Sequence, residues 1–260
     1  MFIASATPRS MISRRPNYGI DSPGMVFGEA AIGTIALVCA IFVPRLFGHN
    51  LRWLEIAIAV EFLALAASML VYSKSGKMVI RDAILNSIPW RGDERVLDAG
   101  CGRGLVLIGA ARRVPQGSAV GVDKWVRGAL TGNGTEAVLR NAEAEGVAAR
   151  IEVVEGDVRR LPFPDAAYDV VVSNFVVHEV DTKQDREQMM SEMMRVLRPG
   201  GRLALVDFIF TSECVEILRR FDMRNIRRTR VGGSSSLLST ILMFGIFRIH
   251  IVTGSKGSHC

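Results

Sequence analysis

The chain has 260 residues, 49% of them hydrophobic but only 7% aromatic. Its mean hydropathy of +0.25 is too high for a uniformly soluble domain, so the apolar excess must be concentrated in part of the chain. A net charge of +6, spread rather than blocked, favours anionic surfaces, while four distant cysteines (Cys39, Cys101, Cys214, Cys260) with no C-x-x-C pair exclude a disulfide framework or zinc site and suit a reducing compartment.

Residues 1–24 are polar, carry Arg9, Arg14 and Arg15, and have no acid before Asp21. They read as a basic cytoplasmic tail, with an organelle presequence as the other reading. Two apolar segments follow. Met25 to Val43 has one acid, Glu29, and is expected to stop at Pro44 and Arg45; Leu54 to Tyr72 has Glu55 at its edge and Glu61 near its middle. Each is long enough to cross a hydrocarbon core as a helix. In the second, the large aliphatic and Phe side chains favour insertion by about 3 to 5 kcal/mol and Glu61 opposes it by about 3. A hairpin in which Glu61 faces the partner helix resolves that balance. Lys74, Lys77, Arg81 and the arginines of the tail flank the outer ends, and only Arg45 and Arg52 lie in the connection. That bias puts both ends on the cytoplasmic side. The competing reading is a pair of buried helices lying on a soluble domain. Residues 73–93 read as a short polar-edged helix and linker, and the expected division is a tail over 1–24, a hydrophobic hairpin over 25–72 and a catalytic domain over 73–260.

From Arg95 strands and helices alternate. "RVLDAG", "SAVGVD", "RIEVVEGD", "YDVVVSNF" and "RLALVDF" read as strands; "LVLIGAARRV", "GTEAVLRNAEAEGV" and "DREQMMSEMMRVLRPGG" read as helices, the last stopped by Pro-Gly-Gly. "SECVEILRRF" is helical, and "NIRRTRV" and "FRIHIVTG" are closing strands. The alternation means a parallel, doubly wound α/β sheet with helices on both faces.

The loop "VLDAGCGRG" carries the chemistry. A dinucleotide fingerprint needs a third glycine at position 105, which is Leu105; the pattern instead is Asp98, Gly100, Gly102, Gly104. A carboxylate at the end of the first strand is unfavourable beside a pyrophosphate and favourable beside a cationic ammonium group. S-adenosylmethionine (SAM) has such a group and no phosphate, and the glycines permit close backbone approach to it. Asp123, in "GVDKW", is placed to accept hydrogen bonds from ribose hydroxyls. Trp125 either covers adenine or packs on the next helix. Asp157, in the turn Gly156-Asp157, is placed to meet an adenine amino group.

"VLDAGCGRG", "GVD", "EGDVRRLPFPDAAYDVVVSN" and "RVLRPGGRLALVDF" together resemble the successive motifs of the class I SAM-dependent methyltransferases, closest in style to the ubiquinone/menaquinone-biosynthesis and small-molecule branch (methyltransferase type 11). The resemblance covers about residues 75–254. It implies a Rossmann-like seven-stranded sheet with an antiparallel last strand, SAM as cofactor, and a methionine moiety wrapped by Gly100, Gly102 and Gly104. It implies contact of the methionine amino group with Asp98, and ribose and adenine held by Asp123 and Asp157. Cys101, Lys124, Gly156, Val158 and Asn174 complete the expected cofactor set. Arsenite methyltransferases of similar layout use several cysteines; here only Cys101 is near the crevice, so that reading is not adopted, and no metal is expected.

SAM is already a strong methyl donor, so a base is needed only when the nucleophile must lose a proton. His178, in "SNFVVHEV", is the candidate base, against the plainer reading of a helix-start histidine bonded to backbone. Glu179 reads as a solvated charge. The arginines from Arg219 to Arg230 read as a solvated edge or a contact for anionic lipid; nucleic acid is not expected, because no aromatics interleave them. The expected function is methyl transfer from SAM to a small or lipophilic acceptor at the membrane, the catalytic domain being cytoplasmic. The alternatives are a catalytically inactive SAM-binding membrane scaffold and, disfavoured by Leu105 and Asp98, a nicotinamide oxidoreductase.

Overall fold

The computed structural model describes residues 15–47, 51–126, 128–231 and 248–258. The apolar link Ser234 to Phe247, singled out from sequence, lies outside them, as do the arginines of the tail before Arg15.

Seven strands form one sheet in the order β3-β2-β1-β4-β5-β7-β6. They are β1 (Arg95–Ala99), β2 (Ser118–Asp123), β3 (Ile151–Glu155), β4 (Tyr168–Asn174), β5 (Leu197–Asp207), β6 (Met223–Arg230) and β7 (His250–Lys256). The first five are parallel, and β7 runs antiparallel to both β5 and β6. Strand order reverses between β1 and β4, and the crevice beyond their carboxyl ends is where a ligand binds in open α/β sheets.

The strands are near-continuous runs of Val, Leu and Ala because both faces are covered. Val96, Val170, Val172 and Ala204 point to one face, where they meet α3 (Lys77–Asn86), α4 (Leu105–Arg113) and α5 (Thr135–Ala144). Leu97, Val171, Leu203 and Leu205 point to the other, against α6 (Lys183–Val196) and α7 (Thr211–Leu218). Met189, Met190 and Met193 of α6 are fully buried there; truncating any one to Ala is expected to cost about 2 to 5 kcal/mol. Contrary to the expected Pro-Gly-Gly stop, α6 ends at Val196 and Arg198-Pro199-Gly200-Gly201 opens β5. Gly200 supplies the positive φ of 75°, and the β4–β5 register shifts between Tyr168 and Val170, as at a bulge.

Ahead of the sheet, α1 (Pro23–Phe47) and α2 (Arg52–Val71) pack against each other. They approach closely at Gly33, where a Cβ would lie 2.8 Å from Leu63 Cγ and 3.1 Å from the Ala59 carbonyl. Both helices are long and apolar enough to cross a membrane, by length and composition, and their apolar windows are only 17% and 11% buried. Phe27, Ile35, Phe42, Trp53 and Val60 are among the apolar side chains left exposed.

Three expectations are corrected here. α1 continues through Pro44 to Phe47: a proline removes one donor but keeps a helical φ, which weakens a last turn without ending it. Glu61 is exposed rather than packed against α1, because Ala59 and Ala66 occupy the buried stripe of α2. The segment after Tyr72 is not a separate short helix: α2, a π-helical turn (Tyr72–Gly76) and α3 form one unbroken helix. The wider turn brings Tyr72, Ser73 and Gly76 to the buried side, and such turns recur at functional sites.

Candidate active site

β1 ends in Asp98 and Ala99, and the loop from Gly100 to Gly104 turns back into α4. Gly100 and Cys101 donate their N–H groups to the Val122 carbonyl at 2.8 and 3.1 Å, which ties the loop to the end of β2. Gly100 has φ 83°, and a Cβ there would collide with Val176 Cγ2. Gly104, also at φ 83°, caps α4 from the left-handed region and would meet Val138. These two glycines are therefore required by backbone conformation and by the protein's own packing. Gly100 and Gly102 border the cavity described below, and Gly104 is not among its lining residues. Cys101 touches the cavity, but its side chain is turned inward against Gly121, and burial pushes its thiol well up.

Asp98 is 1% exposed. Burial, reinforced by Asp123 and opposed by a backbone hydrogen bond from Leu107, pushes its carboxyl up to about 7. Its Oδ1 is buried without a partner, as is Oδ1 of Asn174 at the end of β4. Both residues line the cavity. Buried acceptors of this kind are costly unless a donor reaches them.

Asp123 holds the loop: its Oδ2 accepts from Gly102 N at 2.8 Å and its Oδ1 from Trp125 N at 2.6 Å. The Trp125 indole N–H donates to the Gly102 carbonyl at 2.8 Å and its ring packs on the core. Trp125 is thus a brace under the loop. Asp123 keeps free lone pairs toward the cavity, since each oxygen takes one bond. Asp157, beyond β3, is gripped by Arg159, with Nη2 2.7 Å away, and approached by Lys124 at 3.3 Å; the Arg159 hydrogen bond holds its carboxyl well below the usual carboxylate range. Gly156 and Val158 flank it in the wall.

His178 stands four residues past β4. Its Nδ1 lies 3.1 Å from Asp207 Oδ2, and its backbone N–H donates to the same oxygen. Asp207 is fully buried, and its other oxygen takes the Phe208 N–H at 2.7 Å. Glu179 Oε1 is 3.3 Å from His178 Nε2 and its side chain is more than half exposed. Burial pulls the imidazole down, but Asp207 and Glu179 outweigh it and His178 lies above its ordinary value. The ring packs against both Phe175 and Phe208, with centroids 6.2 and 4.7 Å away, and the two phenyl rings also touch each other. Asp207 was missed from sequence. No local signal marked it: only the β4–β5 register, which sets Asn174 beside Val206, brings the acid ending β5 beside the residues just after β4.

A strap over residues 17–22 roofs the cavity, so the end of the tail is part of the domain. Asn17 exchanges bonds with Asn141, Arg103 Nε donates to the Asn17 carbonyl at 2.9 Å, and Ile20 and Thr131 bond reciprocally. Lys77, 4% exposed, donates to the carbonyls of Tyr18 and Gly19 at 2.8 and 2.7 Å and to Asp21 Oδ2 at 3.0 Å. Asp21 N in turn donates to Ser73 Oγ at 3.0 Å.

Beneath the strap lies a cavity of about 800 Å³. Of the residues expected at the site, Asp98, Gly100, Cys101, Gly102, Asp123, Lys124, Gly156, Asp157, Val158, Asn174 and His178 all border it. Its far end is walled by Met25 and Glu29 of α1 and Leu65 and Met69 of α2. The buried, unpartnered oxygens of Asp98 and Asn174 fit a ligand with an ammonium group and other donors, and Asp98 opposes a diphosphate; the residues present fit SAM. No group of His, Cys, Asp and Glu suited to a metal ion occurs among the described residues.

Residues 97–205 match the family described as "Methyltransferase domain". An uncharacterized methyltransferase of Mycobacterium bovis is 34% identical over 131 residues, 50% of this chain and 59% of the relative. A ubiquinone/menaquinone biosynthesis C-methyltransferase of Dinoroseobacter shibae is 35% identical over 130 residues, 50% of this chain and 48% of the relative. A SAM-dependent methyltransferase structure from Aquifex aeolicus superposes with a TM-score of 0.51 at 19% identity, covering 67% of this chain and 88% of that one; at that identity the likeness speaks to fold. The chain spans about half the length of the curated relatives it matches. Over the matched segment the chain is similar to methyltransferase domains.

Proposed function

We propose that the chain is a membrane-anchored, SAM-dependent methyltransferase that modifies a small or lipophilic acceptor, with its catalytic domain on the cytoplasmic side. The observation that carries this reading is one cavity bordered both by the buried, unpartnered Asp98 and Asn174 oxygens and by the base of the α1–α2 hairpin. The anchoring is supported by the length of the two helices and by their exposed apolar faces, which no soluble core helix would keep out of contact. The orientation rests on the basic flanks.

When bound, SAM supplies an electrophilic methyl group. The residues of the chain do the rest. Asp98 would accept from the ammonium end, Asn174 from another donor of the cofactor, and Asp123 from hydroxyls. The strap and the aromatic pair Phe175 and Phe208 keep water away from the reacting group. His178, oriented through Nδ1 by Asp207, takes the acceptor's proton on Nε2 as the exposed Glu179 swings aside. An inactive scaffold would have no use for a buried acid fixing one tautomer of a cavity histidine. Transfer of labelled methyl from SAM into a lipid extract, together with carbonate extraction of membranes, tests the reading. Labelled product and retention in the membrane pellet are expected; product in neither lipid nor small-molecule fractions, or release by carbonate, would refute its two halves separately.

A further inference from the structure

The cavity does not end at the cofactor site. It runs past His178 and Phe208 to the hairpin, where Met25 and Glu29 of α1 face Leu65 and Met69 of α2. Three of these four are apolar. Glu29 is the exception, and its Oε2 is buried with no hydrogen-bond partner. Six residues into α1, it stands about 9 Å along the helix, level with the first turns to leave the catalytic domain. Met25 itself is 58% exposed, so the cavity wall reaches the surface at the root of α1. The cations that border the cavity are already engaged: Lys77 by Asp21 and two carbonyls, Lys124 and Arg159 by Asp157, and Arg103 by the carbonyls of Asn17 and Gly132; Glu179 and Asp181 are further acids in its wall.

These features select a ligand. Apolar walls at the root of two outward-facing apolar helices suit a hydrocarbon body. An unpartnered carboxylate oxygen among them needs a donor and repels a phosphate. A base histidine oriented by Asp207 is of use to a nucleophile that holds a proton. We propose that the acceptor is a phosphate-free lipophile with a hydroxyl headgroup, that it enters sideways between the ends of α1 and α2 nearest the catalytic domain, and that Glu29 accepts a hydrogen bond from that headgroup on the way to His178. The proposal rests on the methyltransferase reading for what happens next, but not for where the lipophile binds.

The test uses the full chain in phosphatidylcholine nanodiscs and a photoactivatable long-chain alkylphenol, with crosslinks mapped by mass spectrometry. Labelling of Met25, Leu65 or Met69 is expected, at least tenfold weaker in Glu29→Gln and abolished by Met69→Trp, which fills the opening. The phosphate monoester of the same phenol is expected to label these positions at least tenfold less. Crosslinks confined to the outer faces of α1 and α2, equal labelling by the phosphate ester, or indifference to both substitutions would overturn the proposal. Calorimetry with SAM on the same samples reports whether each variant is folded. It also separates the two ideas: labelling without SAM binding would sink the proposed function alone, and SAM binding without labelling at the hairpin would sink this inference alone.

Discussion

The two ends of the cavity are built by opposite means. At the sheet end, polar groups are placed by backbone: strand termini deliver Asp98, Asp123 and Asn174, and main-chain N–H groups of Gly102 and Trp125 lock Asp123 in place. At the hairpin end, apolar side chains on two helices enclose space, and one carboxylate, Glu29, interrupts them. Rigid strand ends suit a ligand of fixed shape; a seam between helices suits one that varies in length and arrives from an apolar phase. The difference suggests that cofactor recognition and acceptor recognition can be broken separately.

The largest effect should come where the ends meet. His178→Ala is expected to lower kcat by about 10²- to 10⁴-fold on a hydroxyl acceptor while leaving SAM affinity unchanged in calorimetry. Asp207→Asn should cost less and move the pH profile. His178 must be neutral to act as a base, so activity rises with pH through a value above the ordinary imidazole range; losing Asp207 removes what raises it, and the acid limb should shift to lower pH. An unmoved limb would mean that Asp207 is only structural. The same shift has a stability counterpart: a folded imidazole raised above its unfolded value contributes most below the unfolded value and loses that contribution as pH rises.

Next comes the roof that joins the ends. Lys77→Met leaves two carbonyls and Asp21 without their donor; a loss of about 3 kcal/mol in unfolding free energy is expected from denaturant titration. A change under 1 kcal/mol would mean that the strap is held by its backbone bonds alone. The smallest effect should be Trp125→Phe, which removes one hydrogen bond under the loop and should cost about 1 kcal/mol, with at most a few-fold weaker SAM binding.

The same contrast explains what could be read before the structure. Strands of the sheet were legible because each is a short, near-continuous apolar run covered on both faces: Val96, Val170 and Val172 face one way and Leu97 and Val171 the other. The loop was legible as far as Asp98 and Asp123, since strand ends are adjacent by rule in this topology. What was not legible depends on long-range register. The bond from His178 to Asp207 spans 29 positions and those from Lys77 to the strap 56 to 59, and nothing local marks either. Glu61 went wrong for a related reason: helical period alone does not say which stripe of α2 meets α1, and the small residues Ala59 and Ala66 took it.

The most direct measurement is calorimetry of SAM binding between pH 5 and 8 in two buffers of different ionisation enthalpy. In the unliganded fold burial holds the Asp98 carboxyl up to about 7, so its ionisation opposes folding as pH rises from its unfolded value through that point, and a bound cation reverses the sign. Affinity should therefore climb by about tenfold per pH unit below 7 and level off above it, with a proton released on binding near pH 6. Asp98→Asn should flatten the curve and weaken binding at pH 8 by about 100-fold. Tight binding with no pH dependence and no proton release, or the same curve in Asp98→Asn, would show that this buried acid does not receive the cofactor.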